Sequence, residues 1–115
     1  MEVIKEFCDE KKLRLKFPND VLFNKKKICG LLQELITQKN RKFLIIGIGL
    51  NIVSNPNINN KYQATNIYLE TNKKPSILEI VNLIISSYEK FLVNLDSYNF
   101  EKFKIRAEKL SIKLE

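Results

Sequence analysis

Two short apolar runs, Val21-Leu22-Phe23 and Ile28-Cys29-Gly30-Leu31-Leu32, stand either side of the polar tetrad Asn24-Lys25-Lys26-Lys27. This pattern constrains the fold more than any other in the chain. So short a polar link permits only antiparallel neighbours joined by a hairpin, because a parallel pair needs a crossover of roughly a dozen residues or more. If the turn has two residues, at Asn24-Lys25 or at Lys25-Lys26, the paired positions sum to an odd number. Either register puts Asp20 and Lys27 on one face of the sheet. A carboxylate and an ammonium then meet with no help from distant segments. On a wet face such a pair is an ordinary ion pair worth under about 1 kcal/mol; in a cleft it is the start of a site. The spacing leaves both readings open.

The rest of the chain is organised around that hairpin. Val3, Ile4, Phe7 and Cys8 recur at helical spacing, which predicts a short amphipathic helix over residues 2–11. Leu13, Leu15 and Phe17 alternate with Arg14 and Lys16, so residues 13–17 read as a strand that Pro18 ends. Residues 37–42 form a second polar connection, and the Ile-rich segment 43–51 reads as a central strand. Asn residues and Pro56 make 53–63 a loop, and 64–69 reads as a short strand. Ser76 and Glu79 form a capping box, and Ile77, Ile80, Val81, Ile84, Tyr88, Phe91, Leu92 and Leu95 hold one helical face to about residue 96. A further helix is expected over 99–110, with Phe103 and Ala107 inward, and residues 112–114 begin another strand. No repeat or linker divides the chain. The order of elements argues one α+β domain over residues 1–115, with a largely antiparallel or mixed sheet and flanking helices.

Composition removes several function classes. At 115 residues a domain can bury roughly two-thirds of its unfolded surface, enough for a real core. The net charge is +7, but it rests on Lys, with Arg only at positions 14, 41 and 106. Nucleic-acid contacts favour the planar Arg fork, so the excess of Lys argues no nucleic-acid partner. The chain has no His and two cysteines without ligand spacing, which excludes a zinc cage and a His-based triad. Cys8 and Cys29 are expected to be reduced and buried. Residues 1–6 are no signal peptide, and the apolar run 43–48 is too short to span a bilayer. The expected compartment is the cytoplasm, with no membrane partner.

Gly47-Ile48-Gly49-Leu50-Asn51 ends the Ile-rich strand. Gly47, Gly49 and Asn51 share one face because side chains alternate. Glycine inside a strand costs stability and marks either a bulge or close approach by a ligand or another backbone. Both readings stay open. The run is no dinucleotide fingerprint, since a third glycine and a following helix are absent.

Four segments together are more specific. Lys16-Phe17-Pro18-Asn19-Asp20, Lys27-Ile28-Cys29-Gly30-Leu31-Leu32, Gly47-Ile48-Gly49-Leu50-Asn51 and Ala64-Thr65 resemble, in order and spacing, the biotin–protein ligase family. Its pattern is K-W-P-N-D, K-(I/L)-A-G-(I/V)-L, G-(I/A)-G-(I/L)-N and A-T-S. The resemblance covers residues 13–95. It implies a two-step reaction: ATP activates biotin to biotinyl-adenylate, and a lysine of a biotin carboxyl carrier domain takes the acyl group. It implies that Lys27 and Asp20 are catalytic, Lys27 holding biotin's carboxylate and the α-phosphate. It implies that Gly30, Gly47 and Gly49 line biotin, and that Lys16, Asn19, Asn51 and Thr65 surround ATP or the adenylate. A magnesium ion near Asn19 belongs to the same set.

Departures accompany the resemblance. Phe17 replaces Trp, Cys29 replaces Ala and is expected to add volume near the biotin floor, and Asn66 stands where Ser is common. The family's Gly/Arg-rich adenylate loop, its ureido-reading Ser/Thr and Gln residues and its SH3-like domain have no counterpart here. The chain therefore reads as the second half of a catalytic domain. Three alternatives follow: half of a split enzyme with a separately encoded N-terminal partner, an inactive remnant or partner-binding module, and a lipoate ligase relative. Lys-Phe-Pro-Asn-Asp followed by Lys-Ile-Cys-Gly favours biotin over lipoate. A homodimer is open.

Overall fold

The computed structural model describes residues 1–56 and 63–113. Four strands, β1 (Leu13–Lys16), β2 (Asp20–Phe23), β3 (Lys26–Gln38) and β4 (Arg41–Leu50), pair in sequence order as an antiparallel sheet. Helices α1 (Ile67–Thr71), α2 (Ile77–Val93) and α3 (Phe100–Leu110) follow. The chain is an α+β fold, as its sequence pattern predicts.

Of the three hairpins, β2–β3 and β3–β4 turn on two residues with positive φ, while β1–β2 turns through Phe17-Pro18-Asn19. Asn24 and Lys25 sit at 48° and 63°, and Lys39 and Asn40 at 49° and 62°. Two successive left-handed residues twist a turn the same way as its flanking strands, which is why such loops close hairpins. The connection expected over 37–42 thus narrows to Lys39-Asn40. Thr37, Gln38, Arg41 and Lys42 join the ladder, with Thr37 opposite Lys42 and Gln38 opposite Arg41.

The β2–β3 hairpin obeys the odd-sum register only next to its turn. Phe23 pairs Lys26 and Leu22 pairs Lys27, but Val21 pairs Cys29 and Asp20 pairs Gly30. The shift between Val21 and Leu22 is a β-bulge, an extra residue that bends one strand and re-aims its side chains.

The core lies at the β1–β2 end. Ile4, Cys8, Leu13, Val21, Phe23, Ile28, Cys29 and Ile67 form one buried cluster, with Ile48 and Leu50 packed at its border. Burying side chains of this size contributes about 1.5–3 kcal/mol each. The far half of the β3–β4 hairpin has no such cover: Leu35, Phe43, Leu44 and Ile45 are exposed. The strand expected to be central is an edge of the sheet, because among the described residues β4 pairs with β3 alone.

Other expectations need correction. Residues 2–11 make two 3-10 turns, Ile4–Glu6 and Glu10–Lys12, in place of one helix. Residues 64–69 do not form a strand. Ala64 makes a single bridge to Lys27, and then Asn66 caps α1 by accepting the Leu69 N–H at 2.8 Å. Ser76 caps α2 as expected, its Oγ accepting the Glu79 N–H at 3.1 Å. That helix ends at Val93, and a 3-10 turn, Leu95–Ser97, follows. Its apolar stripe is largely uncovered; only Ile80 is buried, and Ile77 is 74% exposed. Phe103 is also exposed, packing against Tyr98, which in turn meets Phe91 edge-on at 5.1 Å.

At the C-terminal end, Ser111 bridges Leu15 in parallel and the Ile112 N–H donates to Leu15 O at 2.9 Å, a start on the expected strand. Leu114 lies outside the described residues, as do positions 57–62 of the expected loop. Among the described residues no helix is long and apolar enough to cross a membrane.

Candidate functional site

One row of paired residues crosses all four strands. Lys16 on β1 faces Asp20 on β2, Asp20 faces Gly30 on β3, and Gly30 faces Gly49 on β4. Directly paired residues project to the same side, so charge sits at one end of the row and bare backbone at the other. The bulge brings Lys27 into this row. Its Nζ lies 3.1 Å from Asp20 Oδ1, while Lys16 Nζ lies 3.9 Å from Asp20 Oδ2. The Asp20 side chain is about nine-tenths buried between two partly exposed ammonium groups. This is more than a solvated surface pair. A carboxylate so withdrawn from water depends on its cations, and removing one leaves a poorly compensated charge.

The glycines separate into two kinds. None has positive φ, so backbone conformation explains none of them. A Cβ at Gly30 would meet Lys27 Cε at 3.2 Å and Nζ at 3.3 Å, so Gly30 is the bed on which the Lys27 side chain lies. A Cβ at Gly47 would find Leu32 at 3.8 Å, and one at Gly49 would find Gly30 O at 3.8 Å, both ordinary contacts. The β3–β4 ladder runs in constant register through both, with no bulge. Packing within the described residues therefore does not demand glycine at 47 or 49. What their bareness provides is open floor.

That floor belongs to a cavity of about 530 Å³ lined by Asn19, Asp20, Lys27, Gly30, Leu32, Gly47, Gly49, Asn51 and Pro56, among others. Its size falls within the usual range of small-molecule sites. Seven of the nine sequence-derived site residues line it: Asn19, Asp20, Lys27, Gly30, Gly47, Gly49 and Asn51. Lys16 reaches the site through Asp20. Asn19 donates from Nδ2 to Leu31 O at 2.7 Å, and its backbone carbonyl accepts the Leu31 N–H at 2.9 Å.

Thr65 does not line the cavity. It is fully buried, and its hydroxyl donates to Glu70 Oε1 at 2.6 Å. Its backbone N–H donates to Lys27 O at 2.8 Å. Asn51, though in the cavity wall, turns its Nδ2 to Thr65 O at 3.0 Å and Lys27 O at 3.5 Å. Both residues clamp the Lys27 backbone. Lys26 lies 3.6 Å from Glu70 Oε1. Glu70 escaped the sequence reading because 64–69 read as a strand; on a helix, five residues after Thr65, it can turn back.

Cys29 also departs from expectation. It lies among Val21, Leu31, Ile48 and Leu50 around a smaller apolar cavity of about 160 Å³ under α2, and it belongs to the buried core. Its side chain faces away from the glycine floor and adds no volume there, because it alternates with Gly30. Burial pushes its thiol pKa up; the N-terminal ammonium and Lys27 oppose the shift, and the Asp20 charge adds to it. Both cysteines are free and buried, as expected.

Residues 5–51, which carry the row, match the biotin/lipoate A/B protein ligase family. The solved Aquifex aeolicus biotin protein ligase in complex with biotin and ATP superposes on 98% of this chain at a TM-score of 0.71 and 30% identity. Over residues 5–51 this chain is similar to the biotin/lipoate A/B protein ligase family. The Leishmania major biotin protein ligase in complex with biotinyl-5-AMP superposes on 91% of it, with a TM-score of 0.71 and 28% identity. The bifunctional ligase/repressor BirA of Bacillus subtilis is 29% identical over 102 residues, 85% of this chain. The chain spans 31% of that relative's length, 49% of the Aquifex chain and 42% of the Leishmania chain. Against the family pattern, Asn66 keeps a polar cap for α1, and Phe17 remains an exposed aromatic beside the site.

Proposed function

We propose that this chain supplies the anion-facing half of a biotin–protein ligase catalytic domain. The observation that carries the reading is the Lys16–Asp20–Gly30–Gly49 row with Lys27 laid across it, an ammonium poised over a bare strand floor. In the first step biotin's carboxylate oxygen attacks the α-phosphorus of ATP and pyrophosphate leaves. Both reactants are anionic, so a fixed cation at their meeting point lowers the barrier. Lys27 is that cation, held in direction by Asp20. In the second step a carrier-domain lysine amine attacks the acyl carbon and AMP leaves, with Asp20 beside the approaching amine. Gly47 and Gly49 accept biotin's tail, and Asn19 and Lys16 contact phosphate oxygens. Asn51 and Thr65 support the adenylate pocket by holding the Lys27 backbone.

Magnesium enters this reading as part of the ATP substrate. Among the described residues no three metal-ligating side chains of His, Cys, Asp or Glu converge. Asp20 and Asn19 offer two side-chain oxygen sources, and magnesium bound to phosphate keeps most of its water. An ATP-dependent reaction of this kind belongs in the cytoplasm.

The Gly/Arg-rich loop that closes over the adenylate is not among these residues, since no Arg adjoins Gly30, Gly47 or Gly49. The 115 residues alone are therefore expected to release pyrophosphate from ATP with biotin at no useful rate. Adding a polypeptide that carries the adenylate loop should restore release with biotin and not with lipoate. Robust turnover by the chain alone would sink the half-site reading, and restoration by lipoate alone would make it a lipoate ligase. A second reading, a non-catalytic module that pairs through its sheet, is favoured by the uncovered β3–β4 hairpin. It requires that no complementing polypeptide restores biotin-dependent release.

A further inference from the structure

We infer that Glu70 is a positioning residue for Lys27, acting through Thr65 and Lys26. The functional consequence rests on the proposed role of Lys27. Glu70 sits on α1, which is tied to the end of β4 by Ile67 N–H donating to Asn51 O at 3.1 Å and Tyr68 N–H donating to Ile52 O at 2.8 Å. Its side chain is 15% exposed. Oε1 accepts the Thr65 hydroxyl at 2.6 Å and faces Lys26 Nζ at 3.6 Å. Glu70 does not line the glycine-floored cavity.

The tether acts where the sheet is weakest. The bulge between Val21 and Leu22 interrupts the β2–β3 ladder beside Lys27, and an interrupted ladder leaves local twist less determined. Residues 63–65 hold the Lys27 backbone at this point, through a parallel bridge of Ala64 to Lys27. Gln63 O accepts the Lys27 N–H at 2.8 Å, and the Thr65 N–H returns to Lys27 O at 2.8 Å. Glu70 holds this patch by the Thr65 hydroxyl. It also holds the strand itself, because Lys26 and Lys27 are consecutive and project to opposite faces. Glu70 takes Lys26 on one face and Asp20 takes Lys27 on the other. Pinned on both sides, the strand cannot roll, and the Lys27 ammonium keeps its aim.

The test uses the whole 115-residue chain, uniformly labelled with a nitrogen isotope. Two ligand-free signals are read by NMR: the Lys27 ammonium, and amide exchange at Thr65 and Lys27. Glu70→Ala should move the Lys27 ammonium signal toward that of exposed Lys25 and speed Thr65 amide exchange about tenfold or more, as local opening becomes easier. Thr65→Val should do the same. Glu70→Gln, which keeps an acceptor for the Thr65 hydroxyl, should recover most of the native signal. Unchanged Lys27 signals in Glu70→Ala and Thr65→Val, or no recovery by Gln, would overturn the inference. If Glu70→Ala does not fold, Thr65→Val and Glu70→Gln decide by the same readouts. Biotin-dependent pyrophosphate release after adding a polypeptide that carries the adenylate loop then tests the ligase reading separately: no release refutes that reading, while the ligand-free signals still judge Glu70.

Discussion

The Lys27 side chain lies across Gly30, within 3.3 Å of where a Cβ would stand, and ends 3.1 Å from Asp20. The glycine gives the lysine its path and the carboxylate gives it its end point. Gly30→Ala should therefore push Lys27 aside while adding only one methyl group. Affinity for ATP should fall about tenfold, equivalent to about 1.4 kcal/mol, with little change in the urea midpoint. Equal ATP affinity in the two proteins would show that Lys27 does not depend on that path.

Lysines 25, 26 and 27 should differ sharply once activity is rebuilt with a polypeptide bearing the adenylate loop. Lys27→Ala should cost on the order of 100-fold or more in biotin-dependent pyrophosphate release, typical of losing one preorganised charge contact. Lys25→Ala, in the exposed turn, should cost less than about twofold. Lys26→Ala should fall between, because its partner is Glu70. Equal small losses at all three positions would refute the assignment.

Gly47→Ala and Gly49→Ala separate ligand space from structural need. Each added methyl meets only ordinary contacts within the protein. Relieved of glycine's backbone entropy, each variant should hold its stability or gain up to about 1 kcal/mol. Biotin binding, followed by calorimetry, should be lost. A marked drop in thermal midpoint would mean that the glycines serve the fold.

Cys29 should make stability depend on alkaline pH. Burial raises its thiol pKa, so the folded chain holds that proton more tightly than the unfolded one. The contribution is complete below the unfolded thiol pKa of about 8.5 and is lost as pH rises above it. Between pH 7 and pH 10 the wild-type urea midpoint should fall relative to that of Cys29→Ala. Parallel midpoints would show that the thiol titrates as it does in the unfolded chain.

The β3–β4 hairpin and α2 should make this polypeptide associate. Leu35, Phe43, Leu44, Ile45, Ile77 and Leu92 are all exposed, and β4 is a sheet edge open to another strand. Sedimentation should show self-association at micromolar concentration. Co-expression with the first half of a related catalytic domain should replace it with a defined complex of higher thermal midpoint. A monomer that unfolds cooperatively and gains nothing from that partner would rule out the half-domain reading.

What the sequence determined by itself is short-range. Asn24-Lys25 makes the hairpin, and a hairpin with alternating side chains is enough to put Asp20 and Lys27 on one face. Ser76 starts α2, and the spacing of Gly47, Gly49 and Asn51 marks one bare side of a strand. Each of these follows from turn chemistry or from a period of two or 3.6 residues, so a few neighbouring residues suffice. Tertiary structure decided the rest. The bulge that sets Asp20 opposite Gly30, and turns Cys29 into the core, depends on how β2 matches β3. The burial of Thr65, and its bond to Glu70, exist only because α1 docks at the end of β4. The β4 segment looked central because its residues are apolar, yet it is an edge. Hydrophobicity states that a strand needs cover, and only the packed chain shows whether its own residues provide it.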